Sequence, residues 1–161
     1  MVSRRYWGKV EQPNTLNSNE YLGFIQDKEG FRDTAYKPIS SEEHYTIGWG
    51  NYGADVKEGD TITREEADIQ LQKNIDDRLV QIRQAIPEFD NLPLKTRQHL
   101  LGSWFRGSLS GSPKTISLLN EGKFDEASNE FLNNDEYRNT TLGGVKKRMK
   151  ATSDAIRGLI T

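Results

Sequence analysis

The sequence predicts an α+β protein in which a small N-terminal sheet lobe is joined by a long helix to a helical C-terminal lobe. Three observations predict this class. Aromatic and β-branched residues are concentrated at residues 31–49, a long amphipathic pattern follows residue 63, and shorter helical patterns fill the remainder. Two lobes of this kind leave a cleft between them, which is a usual place for a substrate.

Composition and charge restrict the class of function. A chain of 161 residues with 34% hydrophobic residues has the length and the apolar content of one domain. The formal net charge of -2 gives no general attraction for nucleic acid, so we expect no such partner. The chain has no cysteine and 2 histidines, which argues against a disulfide framework and a metal site. We therefore expect no metal and no cofactor.

The N-terminal segment differs in character from the rest of the chain. Residues 1–17 are polar and aperiodic, and they lack the apolar core of about 7–15 residues that a secretion signal needs. No apolar stretch approaches the roughly 20 residues that span a bilayer, so we expect no stable membrane insertion. We interpret residues 1–17 as an extended arm and residues 18–161 as one domain.

The first predicted helix begins near Ser18 and ends at Glu29-Gly30. Its apolar side chains recur every three or four residues, and a glycine suits a helix end. Glu29 is then the last helical side chain, at the point where the chain turns into the sheet. Partial desolvation of a carboxyl group there favours the protonated form that a general acid needs. The alternative is an ordinary solvated or ion-paired glutamate.

The predicted sheet is small and antiparallel. Tyr36 and residues 45–49 have strand character, and the segment Pro-Ile-Ser-Ser at residues 38–41 interrupts them as a turn does. Glycines then follow in quick succession and indicate tight turns in the same lobe: Gly48, Gly50, Gly53 and Gly59.

The long helix begins at a capping box, Thr63-Arg64-Glu65-Glu66, in which the hydroxyl and the carboxylate each accept a backbone N–H. Its apolar positions recur every three to four residues until Pro87: Ala67, Leu71, Ile75, Leu79, Ile82 and Ile86. Shorter helical patterns follow at residues 94–105, 113–119, 124–132 and 144–160.

Several short motifs occur in the order in which one enzyme family carries them. They are Glu29-Gly30-Phe31-Arg32, Ala35-Tyr36-Lys37, Tyr45-Thr46-Ile47-Gly48-Trp49-Gly50, the entry to the long helix, Leu118-Leu119-Asn120, and the basic string Gly144-Val145-Lys146-Lys147-Arg148. Together they resemble the bacteriophage-type lysozymes, the endolysin muramidases. Each motif alone is short, but their ordered occurrence over most of one domain is specific.

The resemblance implies a peptidoglycan hydrolase that cleaves the β-1,4 bond between N-acetylmuramic acid and N-acetylglucosamine. It implies that Glu29 donates a proton to the glycosidic oxygen and that Thr46, across the cleft, helps to position the attacking water. It places Arg148 near the catalytic glutamate, with a solvated cationic helix face as the alternative. Aromatic residues suited to stacking on sugar rings are Trp49, Tyr52 and Tyr137.

One position departs from the family pattern. Many members carry Asp two residues after the Tyr of Ala-Tyr-Lys, where this chain has Pro38. Hydrolysis of a glycoside needs a base or nucleophile opposite the acid. Glu43 is the nearest substitute and Asp33 a more remote one, unless Glu42 and Glu43 are a solvated hairpin tip. The absence of this Asp at Pro38 is also compatible with a lytic transglycosylase that uses a single Glu, or with an inactive wall-binding or structural virion protein.

The resemblance also implies where the protein acts. We expect a monomer whose partner is peptidoglycan, held in the host cytoplasm before holin-dependent release to the periplasm or wall, or else carried in the virion. The role is then host lysis or virion-borne penetration of the wall. Because the net charge of -2 gives no attraction to an anionic envelope, recognition should depend on contacts in the cleft.

Overall fold

The computed structural model describes residues 18–159, so the predicted arm at residues 1–17 lies outside the described residues. The chain divides into two compact units, Met1–Asp77 and Arg78–Thr161, with the boundary inside a long helix. The sheet belongs to the first unit, whereas the described part of the second unit is helical. The α+β class predicted from the sequence is confirmed.

The described part of the first unit begins with one helix and then forms a three-stranded antiparallel sheet in the order β1-β2-β3. Its elements are α1 (Ser18–Lys28), β1 (Arg32–Tyr36), β2 (Tyr45–Gly48) and β3 (Asn51–Gly53). Tyr21 and Ile25 of α1 and Ile47 of β2 are buried and supply part of the core of this unit. The helical periodicity of the sequence therefore identified the buried face of α1.

Two details of this unit differ from the prediction. The helix ends at Lys28, so Glu29 is not its last residue, although the Glu29 N–H still bonds the carbonyls of Ile25 at 3.1 Å and Gln26 at 3.2 Å. The third strand was not predicted as a strand. It has only three residues and ends on a glycine, which is too short for an alternating pattern to be recognised.

The long helix α2 (Arg64–Ala85) has 22 residues and begins as the capping box predicts. The Glu66 N–H donates to Thr63 Oγ1 at 3.1 Å, and the Thr63 N–H donates to Glu66 Oε1 at 3.4 Å. The six apolar residues that defined its periodicity are all buried: Ala67, Leu71, Ile75, Leu79, Ile82 and Ile86. The apolar face of α2 therefore contributes to the cores of both units.

The second unit consists of helices and short connections. After a 3-10 turn at Phe89–Asn91, its helices are α3 (Leu94–Arg106), α4 (Pro113–Asn120), α5 (Phe124–Phe131), α6 (Asp135–Asn139) and α7 (Gly143–Arg157). Four of them match the predicted helical segments within a few residues. The polar five-residue helix α6 was not predicted, because one short turn shows no periodicity.

Helix α7 packs against α3 and α5. Buried hydroxyl pairs accompany this packing. Ser103 and Thr152 lie 2.9 Å apart, oxygen to oxygen, and Ser128 and Ser153 lie 2.8 Å apart. Because each of these four hydroxyls has a partner, their short polar side chains are accommodated in the packing around α7 without an unpaired group.

Candidate active site

Glu29 lies in the short connection between α1 and β1 and is half-buried. Its carboxyl group reaches the turn between β2 and β3: a Cβ atom on Gly50 would lie 3.1 Å from Glu29 Oε2 and 3.6 Å from its Cδ. Gly50 has a φ of +83°, in the left-handed region that favours glycine. The absence of a side chain at Gly50 therefore permits both the left-handed backbone of the turn and the close approach of the carboxyl group.

Thr46 lies on the central strand β2 and is 7% exposed. It is paired with Tyr36 on β1 and with Tyr52 on β3. Residues directly opposite each other in an antiparallel pair share one face of the sheet, whereas the next residue, Ile47, lies on the other face and is buried. The sheet thus brings two predicted site residues, Thr46 and Tyr52, to the same face.

Glu43 lies in the connection between β1 and β2, and its side chain is 84% exposed. His44 Nε2 is 4.0 Å from Glu43 Oε2, and the His44 ring lies 5.4 Å from the ring of Tyr52, centroid to centroid. The connection therefore contacts β3 through His44. The Glu43 side chain itself is open to water.

Glu42 differs from its neighbour. Its Oε2 atom is buried and accepts no hydrogen bond from any group within residues 18–159. Its backbone N–H donates to the Ile39 carbonyl at 3.0 Å, which closes the turn after the exposed Pro38. A fully solvated hairpin tip therefore describes Glu43 but not Glu42.

Trp49 is held by several groups. Its indole N–H donates to Asp68 Oδ1 at 2.8 Å. Its ring lies 5.3 Å from the ring of Phe31, and the Arg64 guanidinium lies 4.9 Å from its centroid. Tyr52, in contrast, is 50% exposed. Of the two predicted stacking residues that follow the Thr-Ile-Gly segment, Tyr52 is therefore the more exposed.

Two further predicted site residues, Tyr137 and Arg148, belong to the second unit. Tyr137 lies on α6, where its N–H donates to Asn134 Oδ1 at 2.8 Å and Lys146 Nζ lies 5.6 Å from its ring. Arg148 is half-buried on α7, and its carbonyl accepts a hydrogen bond from Thr152 Oγ1 at 3.1 Å. Their roles toward Glu29 and substrate stay predictions.

Asp68 contacts the predicted site residue Trp49 and was not singled out from the sequence. It is one of several acidic residues on α2, and no spacing distinguishes it from the others. Its contact with Trp49 joins positions 19 residues apart in the chain, so a local pattern carries no signal for it.

Residues 18–159 contain no group of three or more His, Cys, Asp and Glu side chains placed to hold a metal ion. None of their helices is long and apolar enough to cross a membrane.

The fold has a counterpart among solved structures. The muramidase domain of SpmX from Asticaccaulis excentricus matches 84% of this chain and 92% of its own length, with a TM-score of 0.64 at 19% sequence identity. This likeness defines the class of fold, which is lysozyme-like.

The family follows from the sequence comparisons. Residues 26–152 match the model of the phage lysozyme family. The endolysin of Bacillus phage B103 is 31% identical over 133 residues, covering 79% of this chain and 48% of that protein. The endolysin of Lactococcus phage c2 is 48% identical over 61 residues, covering 38% of this chain and 26% of that protein. The chain thus spans less than half the length of these relatives, and it belongs to the phage lysozyme family.

Proposed function

We propose that this chain is a muramidase, a glycoside hydrolase that cleaves the β-1,4 bond between N-acetylmuramic acid and N-acetylglucosamine in peptidoglycan. The observation that carries the proposal is the placement of the Glu29 carboxyl group against Gly50, at the turn that follows the strand of Thr46. Membership of the phage lysozyme family and the names of its endolysin relatives support the same activity.

In the proposed reaction, Glu29 donates its proton to the glycosidic oxygen as the bond from that oxygen to C1 of N-acetylmuramic acid breaks. A water molecule oriented by the Thr46 hydroxyl adds to C1, and its released proton passes to solvent or to Glu43. A half-buried carboxyl group suits the acid, and a solvated carboxylate suits the base, because glycosidases separate these two roles by environment.

Substrate binding is proposed to involve the aromatic residues and Arg148. Tyr52 offers an exposed ring on the same sheet face as Thr46, which makes it the first candidate for stacking on a sugar. Trp49 and Tyr137 are weaker candidates, because both are half-buried. Arg148 is proposed to act near Glu29, as the family resemblance implies.

In the proposed biological setting, the protein degrades the host cell wall from inside at lysis, since the relatives are named endolysins. The protein would act as a monomer on peptidoglycan after holin-dependent passage from the host cytoplasm. Carriage in the virion for local wall penetration is the second route, and it needs the same chemistry.

The decisive test uses purified peptidoglycan and compares the wild type with Glu29→Gln. We expect new reducing ends from the wild type, a loss of at least 100-fold in Glu29→Gln, an order of magnitude typical for removal of a general acid, and little change in Asp27→Asn. Asp27 is a matched control because it is an exposed acidic residue of α1.

The products distinguish the alternatives. Borohydride reduction should convert the new ends to muramitol, whereas glucosaminitol would indicate the other glycosidic bond. Anhydro-muropeptides would identify a lytic transglycosylase, and no release by the wild type would favour an inactive wall-binding or structural protein. Full activity of Glu43→Gln would remove Glu43 as the base.

A further inference from the structure

One carboxylate oxygen on α2 accepts two side-chain hydrogen bonds. Asp68 Oδ1 accepts from the Trp49 indole N–H at 2.8 Å and from Gln26 Nε2 at 2.9 Å. Asp68 is half-buried, as are both donors, so water competes less for these bonds than it would at the surface.

The two donors belong to the two chain segments that meet at the contact between Glu29 and Gly50. Gln26 is in the last turn of α1, and its carbonyl accepts the Glu29 N–H at 3.2 Å. Trp49 directly precedes Gly50, in the turn between β2 and β3. Asp68 therefore connects the segment that carries the carboxyl group to the turn that the carboxyl group touches.

A second residue of α2 strengthens this connection. Arg64, one turn before Asp68, places its guanidinium 4.9 Å from the Trp49 ring and 5.6 Å from the ring of Phe31. Phe31 comes two residues after Glu29, so both the chain before Glu29 and the chain after it are tied to the start of α2. Cation–π contacts of this kind add to the rigidity of the turn.

We propose that Asp68 is a positioning residue for the hydrolysis, which sets the placement of the Glu29 carboxyl group relative to the turn at Gly50. The inference rests on the proposed function of Glu29. Asp68 acts through Trp49 and Gln26 and does not touch the substrate. Catalysis is sensitive to such placement, since a displacement of about 1 Å can reduce a rate roughly 100-fold.

The kinetic test compares Asp68→Ala, Asp68→Asn and Asp77→Ala. We expect Asp68→Ala to lower kcat about 10- to 100-fold with KM within about 3-fold of wild type. Asp68→Asn keeps an Oδ1 acceptor and should stay within about 3-fold of the wild-type kcat, because the amide oxygen accepts both bonds. Asp77→Ala, the same change at an exposed position of α2, should leave both constants unaltered.

Two kinetic results would overturn the proposal: a wild-type kcat in Asp68→Ala, or a loss in Asp68→Asn as large as that in Asp68→Ala. If Asp68→Ala does not fold, Trp49→Phe and Gln26→Ala remove the donors instead, and wild-type kcat in both would overturn it. Where Asp68→Ala folds, losses that multiply independently in its cycle with Trp49→Phe would likewise count against a shared link.

A measurement without substrate separates this inference from the proposed function. In the wild type, the Gly50 amide resonance should shift with pH as Glu29 titrates, and Glu29→Gln should abolish that shift. Asp68→Ala should reduce it by at least half, and Asp68→Asn should restore it. An unchanged Gly50 titration in Asp68→Ala sinks the positioning role, whatever the activity. A normal Gly50 response in a wild type that releases no reducing ends would instead sink the proposed function alone.

Discussion

The carboxyl group of Glu29 lies so close to Gly50 that a Cβ atom at that position would be 3.1 Å from Glu29 Oε2. The contact joins the end of α1 to the turn between β2 and β3, two segments about twenty residues apart in the chain. The contact and the φ of +83° together explain why residue 50 is a glycine, because the absence of a side chain and a left-handed backbone are both needed there.

Gly50→Ala should lower both stability and activity. An alanine at this φ costs about 1–2 kcal/mol of unfolding free energy, and its Cβ would press on the carboxyl group. Urea denaturation and reducing-end release would measure the two effects. Gly23→Ala is the control: nothing lies within 4 Å of its Cβ position inside α1, so it should be stabilising by about 0.5–1 kcal/mol. Equal stability of Gly50→Ala and wild type would contradict the strain at Gly50.

Thr46→Val should reduce the rate of hydrolysis roughly 10- to 100-fold, because it removes the hydroxyl proposed to orient the water while preserving side-chain shape. Thr46→Ser keeps the hydroxyl and should retain most of the activity. Initial rates on purified peptidoglycan, with melting temperatures to confirm folding, check the difference. A Thr46→Val variant as active as Thr46→Ser would show that the hydroxyl has no part in the reaction.

Thr63→Ala should lower the unfolding free energy by about 1 kcal/mol, because the Glu66 N–H at the start of α2 loses its 3.1 Å acceptor. Thr63→Ser retains the oxygen and should remain near wild type. Urea denaturation of the three proteins measures the difference. If the alanine and serine variants are equally stable, the capping box contributes nothing measurable.

Thr115→Val should stabilise the protein by about 1 kcal/mol. Thr115 is 0% exposed on α4, and its Oγ1 has no hydrogen-bond partner among residues 18–159. Valine has nearly the same shape and removes the unpaired polar atom. Thr115→Ser, which keeps the hydroxyl and deletes a methyl group, should be destabilised instead. A loss of stability in Thr115→Val, measured by urea denaturation, would mean that the hydroxyl has a partner in solution.

Most helices could be predicted from the sequence because their signals are local. The capping box at Thr63 and the apolar repeat after it placed α2 correctly, since the hydrogen bonds of a helix and the face it buries depend on neighbours three and four residues away. The short elements β3 and α6 were not predicted, because they are too short to show such a local signal. Three strand residues and five helical residues contain little more than one repeat each, which is too few for a period to be recognised.

The site was predictable only in part. Glu29 and Thr46 were found from motifs that resemble a family, and their catalytic roles stay predictions. The surroundings that distinguish Glu43 from Glu42, or Tyr52 from Trp49, could not be read from the sequence. In each pair the two residues have similar chemistry and neighbouring positions, and they differ in what packs against them.

The sequence by itself determined the α+β class, the segments that become the main helices and the order of motifs that places the chain among phage lysozymes. Only the tertiary structure decided that Asp68 connects Gln26 and Trp49, and that Gly50 receives the Glu29 carboxyl group. The physical reason is the separation along the chain over which each interaction acts. Capping and periodicity act within a few residues, whereas the bonds to Asp68 join positions 42 and 19 residues apart, which come together only when the elements pack.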